Sequence, residues 1–273
     1  MPELPEVETV REALEPAIAS QTIAYVRLTR GDLRWPLPDD LDKRLVGRRC
    51  SAPKRRGKYI LIDLSQKETL LIHLGMSGAI RLYDHKPNFQ KHDHFSVEFT
   101  SGQWMVFSDP RRFGHLDLFA SAATPKHPLL FCLGVEPLSD AFTVPVLTSL
   151  MKGRKTLIKS ALLDQRLVAG LGNIYVNEAL FRAGISPRRK AGSIPGKRAL
   201  RLTNAIKAVL REAIKAGGTS LRDHIQPGGE IGYFAQNLRV YGQAGQPCVD
   251  CGQEIKQIIQ SGRSSFYCPS CQR

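Results

Sequence analysis

Hydrophobic positions near the start of the chain recur at helical spacing: Val7, Val10, Leu14 and Ile18 stand three or four residues apart. That spacing predicts a helix over roughly the first fifteen residues, with Pro5 suited to the first turn and Pro16 expected to stop it. From Thr22 to Phe119 the pattern changes to short extended runs. Tyr59–Leu64, Thr69–Leu74, Ala79–Tyr83, Phe95–Phe99, Trp104–Ser108 and Leu116–Phe119 each read as a strand, with Gly57, Gly75, Gly78, Gly102 and Gly114 punctuating them. Phe95, Val97 and Phe99 alternate with Ser96 and Glu98, the pattern of a half-buried strand. Six or more such strands predict a two-sheet sandwich or a barrel.

A weakly periodic linker follows from about Ala120 to Val144, and from about Pro145 to Gly217 the helical period returns. It is clearest over Lys197–Ala216. There Leu202, Ile206, Val209, Leu210 and Ala213 form one apolar stripe, with Arg201, Asn204, Lys207, Arg211 and Lys215 off it. Gly217 and Gly218 end that helix, and a glycine-rich loop runs from Thr219 to about Ala235. The pattern as a whole predicts an α+β multidomain chain. Residues 1–130 form a two-sheet β-sandwich with an N-terminal helix, 131–235 a helical domain, and 236–273 a small cysteine module.

Composition narrows the class. The 273 residues are 42% hydrophobic and 23% charged, which suits a globular protein with a sizeable core. No apolar run approaches the roughly 20 residues of a membrane helix, and the acidic N-terminus has no hydrophobic signal region. A cytosolic protein with no processing beyond loss of Met1 is expected. The net charge is +14, and it is unevenly spread. From Leu150 to Asp223 there are 16 Lys or Arg against 4 Asp or Glu, a net of +12. A concentration of that kind points to a polyanion, and nucleic acid is the reading preferred over a merely solvated helical face.

Cys248 and Cys251, then Cys268 and Cys271, form two C-x2-C pairs, a spacing that suits a four-cysteine zinc ribbon. A segment this short buries too little apolar surface to fold alone, so the metal would be structural. Two disulfides are the alternative, disfavoured in a reducing compartment. Cys50 and Cys132 stand alone and read as buried small residues. Arg263 lies between the pairs, where a phosphate contact and plain solvation both remain open.

The second residue is Pro2, so removal of Met1 would leave a secondary amine at the terminus. An α-amine titrates near 7.7–8.0, so roughly a third of it is neutral near pH 7.5, against roughly 0.1% of an ordinary lysine. A neutral amine can attack an electrophilic carbon and form an imine, and Glu3 or Glu6 could supply a proton. Acidic residues also collect at helix starts for dipole reasons, so the pair alone does not decide.

Taken in order, the motifs resemble the bacterial formamidopyrimidine-DNA glycosylases. They are PELPEVE (Pro2–Glu8), Gly57-Lys58-Tyr59, HLGMSG (His73–Gly78), KHDH (Lys91–His94), DPRRFG (Asp109–Gly114), GLGNIY (Gly170–Tyr175) and GYFAQ (Gly232–Gln236), followed by the zinc ribbon. The resemblance implies a bifunctional glycosylase and AP lyase that removes 8-oxoguanine and ring-opened purines. It implies Pro2 as the nucleophile at C1′, Glu3 as the acid, Glu6 in support, Lys58 in β-elimination and Arg263 in δ-elimination. Met76, Arg111 and Phe113 would fill the gap left by an everted base. His73, His92, Arg154, Lys155 and Asn173 would contact DNA, with Asn173 at the turn of a helix–two-turn–helix element. The expected cofactor is one structural zinc, with no nucleotide cofactor. The expected partner is damaged double-stranded DNA, met by a monomer in the bacterial cytoplasm at the nucleoid, with no membrane contact. Two rivals stand beside this reading: an endonuclease VIII-type enzyme for oxidised pyrimidines, and a non-catalytic zinc-ribbon DNA-binding protein.

Overall fold

The computed structural model describes residues 2–219, 227 and 232–273. Most of the glycine-rich loop lies outside the described residues. The chain divides into two compact units, one of Met1–Phe131 with Ala216–Tyr233, the other of Cys132–Lys215 with Phe234–Arg273.

The first unit opens with helix α1 (Leu4–Ile18). Its stripe of Val7, Val10, Leu14 and Ile18 is at most 1% exposed. Pro16 lies inside the last turn rather than ending the helix before it. A proline in the last turn loses one N–H bond and crowds one carbonyl, a local cost, and the fully buried Ile18 beyond it still packs on the core.

Two four-stranded antiparallel sheets face the same core. Strands β1 (Ile23–Leu28), β6 (Asp93–Phe99), β7 (Trp104–Ser108) and β5 (Ala79–Tyr83) form one sheet, in that order. Strands β2 (Lys54–Arg56), β3 (Tyr59–Leu64), β4 (Glu68–His73) and β8 (His115–Ala120) form the other. Ile60, Ile62 and Ile72 from one sheet meet Phe95, Val97, Phe99 and Phe107 from the other, with the α1 stripe completing a single cluster. A short helix, α2 (Leu41–Leu45), packs beside β1.

The alternation in β6 does not leave Ser96 half-buried: it is wholly covered. The outer face of its sheet carries Tyr25, Phe89 and Trp104, whose rings meet edge to face, with the Arg27 guanidinium 4.2 Å from the Phe89 ring. Phe89 comes from an irregular segment, so strand periodicity could not show that this face is roofed.

In the second unit, helices α3 (Val144–Met151), α4 (Ile158–Leu163), α5 (Asn173–Arg182) and α6 (Lys197–Lys215) pack about the stripe expected for α6. Strands β9 (Lys256–Gln260) and β10 (Arg263–Tyr267) form a hairpin closed by Ser261 and Gly262, both at positive φ. That two-residue geometry matches the twist of a tight hairpin. The hairpin and its cysteines share a small core with α5, through Phe181, Val240, Ile255 and Phe266. Of the lone cysteines, Cys50 is buried, and its thiol is pushed up to about 12 by desolvation. Cys132 is exposed, contrary to expectation, because the aperiodic linker packs neither it nor the neighbouring Phe131.

Candidate active site and nucleic-acid interface

Pro2, Glu3 and Glu6 are all buried at the start of α1. Glu3 is the N-cap, and the Glu6 carboxylate accepts its backbone N–H at 2.8 Å, one arm of a capping box. The other Glu6 oxygen accepts Thr219 N–H at 2.8 Å. One buried carboxylate therefore fixes both the residue after Pro2 and the described base of the glycine-rich segment. Gly218, at φ +83°, lies so close that a Cβ there would stand 3.2 Å from Glu6.

Helix α1 packs on the β2–β3 hairpin, and Arg55 donates to Glu8 at 2.6 Å. The turn of that hairpin is Gly57-Lys58, and Lys58 is only 9% exposed. Tyr59, His73 and His115 pair in register across β3, β4 and β8, so the strand ends beside Lys58 carry two histidines. Burial depresses the His73 pKa to about 4, with Lys58, His115 and Arg34 adding to the effect. The ring is thus neutral at pH 7, and its Nδ1 accepts Gly75 N–H at 3.1 Å. His73 holds the turn that bears Met76.

Met76 and Phe113 are 36% and 41% exposed on turns of this unit, and the Arg111 guanidinium lies 5.0 Å from the Phe113 ring. Met76 and Phe113 are thus exposed apolar side chains on turns next to glycines rather than core residues. His92 is half-buried, and its carbonyl accepts Asp109 N–H at 2.9 Å.

In the second unit Arg154, Lys155 and Arg263 are exposed. Arg263 begins β10 immediately after the hairpin turn. That strand is held on the helices by side chains the sequence did not single out. Lys159, only 1% exposed, donates to Ser264 O and Ser265 Oγ at 2.6 Å, and Asn177 Oδ1 accepts Phe266 N–H at 2.8 Å. Asn173 joins them, donating to Ser264 O at 3.1 Å. One of the cations counted toward the basic surface, Lys159, is therefore an internal strut. Glu178, fully buried, accepts the N–H groups of Arg239, Val240 and Tyr241 at 2.9–3.1 Å, which pins the segment leading to the ribbon. Their only signal in the sequence was polarity inside an otherwise apolar helix pattern.

The four cysteine sulfurs lie within 4.8 Å of one another, with Cys248–Cys271 at 3.9 Å and Cys251–Cys268 at 3.5 Å. Tetrahedral zinc with bonds of about 2.3 Å requires sulfurs about 3.8 Å apart, so the set fits. Cys271 N–H also donates to Cys268 Sγ at 3.4 Å, as a thiolate ligand would favour. Four protein ligands leave no open position, so the metal holds the ribbon and does no chemistry.

One chain thus carries a strand sandwich with buried acids at its first helix, a basic helical unit and a four-cysteine ribbon. Three family models match in sequence order: the formamidopyrimidine-DNA glycosylase N-terminal domain over residues 1–116, its H2TH domain over 133–224, and the zinc finger found in FPG and IleRS over 245–273. Formamidopyrimidine-DNA glycosylases of Ruegeria pomeroyi and Cereibacter sphaeroides are each 54% identical, with all of both chains covered. The crystal structure of MutM (Fpg) from Thermus thermophilus aligns at TM-score 0.89 and 41% identity, covering 99% of this chain and 98% of that one. Lactococcus lactis Fpg in complex with DNA containing an abasic site aligns at 0.91 and 35% identity, covering 99% of each. The chain belongs to the formamidopyrimidine-DNA glycosylase family, whose members combine glycosylase with AP-lyase activity. The zinc ribbon expected at the C-terminus is the family's zinc finger.

Proposed function

We propose that this enzyme excises 8-oxoguanine and formamidopyrimidines from double-stranded DNA through the amine of Pro2, freed by loss of Met1. The neutral amine attacks C1′, the glycosidic bond breaks and the base departs. Glu3 protonates the ring oxygen as the sugar opens, leaving an iminium on Pro2. Loss of the C2′ proton then expels the 3′ phosphate, with Lys58 assisting. A second elimination expels the 5′ phosphate, with Arg263 clamping it. Glu6 supports both acid and nucleophile by holding Glu3 N–H. Met76, Arg111 and Phe113 fill the vacated stack, and His92, Arg154, Lys155 and Asn173 meet the backbone. His73 serves by fixing the Met76 turn. The protein works as a monomer in the cytoplasm at the nucleoid, and no helix among the described residues is long and apolar enough to cross a membrane.

The observation that carries this reading is the Glu6 bond to Glu3 N–H, which fixes the residue next to Pro2 in the interior of the unit. Borohydride reduction during reaction with 8-oxoguanine duplex tests it. A covalent complex should form, and its DNA-bearing peptide should begin at Pro2 with Met1 absent. An adduct on Lys58, or no adduct, would overturn the assignment. A thymine-glycol duplex belongs in the same assay, because Lactococcus lactis Fpg has been solved with DNA containing an oxidised pyrimidine.

A further inference from the structure

Met76 stands on one turn, Arg111 and Phe113 on another, and 32 residues separate Ser77 from Asp109 at the heart of each. The first turn closes through Gly78 N–H to Leu74 O at 2.9 Å, the second through Arg112 N–H to Asp109 O at 3.2 Å. The two are then joined by one fully buried carboxylate. Asp109 accepts Ser77 O–H at 2.7 Å on one oxygen and Gly114 N–H at 2.7 Å on the other. Ser77 Oγ in turn accepts Arg111 N–H at 3.2 Å. The chain of bonds thus runs from the Met76 turn through Asp109 to both ends of the turn bearing Arg111 and Phe113.

Packing reinforces the clamp. A Cβ on Gly75 would fall 2.3 Å from the Phe113 carbonyl carbon, so the two backbones touch with no side chain between them. The buried Phe107 ring lies beneath both turns. A Cβ on Gly78 or Gly114 would approach it to 2.8 Å or 2.7 Å. Flexible turns would have to be ordered at the moment of insertion, adding an entropy cost to the work of unstacking a base. Here that ordering is complete on folding.

We propose that Asp109 and Ser77 are positioning residues that hold Met76, Arg111 and Phe113 as one preassembled wedge. Opening of a paired lesion depends on them, while chemistry at a nucleotide already unpaired does not. The proposal rests on the gap-filling reading of the trio given above.

The test compares Ser77→Ala, Asp109→Asn and Phe113→Ala with wild type on two substrates. One is an 8-oxoguanine:cytosine duplex with 2-aminopurine beside the lesion to report opening. The other is an abasic site in a single-stranded oligonucleotide, read by borohydride trapping. Ser77→Ala and Asp109→Asn should slow duplex opening and excision by about ten- to a hundredfold, up to what a misplacement of about 1 Å can cost a positioned group. Trapping on the single strand should stay close to wild type. Ser77→Thr keeps the hydroxyl at a position that lines a 210 Å³ cavity, so it should retain opening. Equal losses on both substrates, or wild-type opening in Ser77→Ala, would overturn the positioning role. Should Asp109→Asn fail to fold, the Ser77 pair decides alone. If Phe113→Ala opens the duplex at the wild-type rate, the gap-filling reading fails and takes the proposal with it. If only Phe113→Ala slows opening, the positioning role alone is wrong.

Discussion

His73 shows how one residue's physics adds to its motif position. The motif gave it as a DNA contact without saying in which charge state. Burial keeps the ring neutral, with its Nδ1 accepting Gly75 N–H, so any contact it makes with DNA is that of an uncharged ring. Its pKa falls from 6.5 to about 4 in the folded chain, so the unfolded chain binds the proton more tightly. Stability is then unaffected above pH 6.5 and is lost progressively as pH falls from 6.5 toward 4. The loss could reach about 3 kcal/mol at the bottom of that window. His73→Asn places an uncharged acceptor near the same N–H. Denaturant titrations at a series of pH values should show a flatter acid limb in this variant than in wild type. Parallel limbs would mean that His73 is not buried neutral.

At the scale of elements, strand periodicity located β3, β5 and β7 to the residue, because each starts within two residues of a glycine (Gly57, Gly78, Gly102) and lays apolar side chains on the core. Strands β1 and β2 escaped it. Ile23–Leu28 interleaves tyrosine and arginine, and Lys54–Arg56 has no apolar residue at all, so only pairing with a neighbour makes either a strand. The site divides in the same way. Most of the residues proposed to touch DNA stand in contiguous motifs and could be read directly. Residues that join segments distant in sequence, such as Glu6 to Thr219, Asp109 to Ser77 and Glu178 to Arg239–Tyr241, acquire a role only in three dimensions. Glu178 gives the most direct check on such a strut. Glu178→Gln preserves shape but turns an amide toward three N–H donors that need an acceptor. The cost should be about 2–4 kcal/mol in the zinc-loaded protein, as for breaking a buried charged hydrogen-bond set. A loss well below that in chemical denaturation would show that water can replace the carboxylate.

For the molecule as a whole, the question is how far the zinc supports the DNA-binding surface beyond its own ribbon. The small core shared by Phe181, Val240, Cys248, Ile255, Phe266 and Cys268 cannot hold a hairpin unaided, and two of its six members are ligands. Without metal, four thiols crowd together and β9–β10 should lose its anchor. Arg263 would then lose its fixed place at the start of β10. The effect should spread one step inward, because the hairpin backbone is what Lys159 donates to. With Ser264 O and Ser265 Oγ withdrawn, a buried ammonium loses two acceptors that help make its burial tolerable, which should loosen α4 around it. Chelation followed by hydrogen exchange should therefore deprotect residues 256–267 first and α4 with them. Strands β3 and β4, whose core lies wholly in the other unit, should stay protected. Affinity for abasic-site duplex should fall in step with the ribbon. If α4 stays protected while the ribbon melts, Lys159 is satisfied without the hairpin and the metal's influence ends at the ribbon. If DNA affinity survives confirmed zinc loss, the ribbon arginine is not a binding determinant, and its place in δ-elimination falls with it.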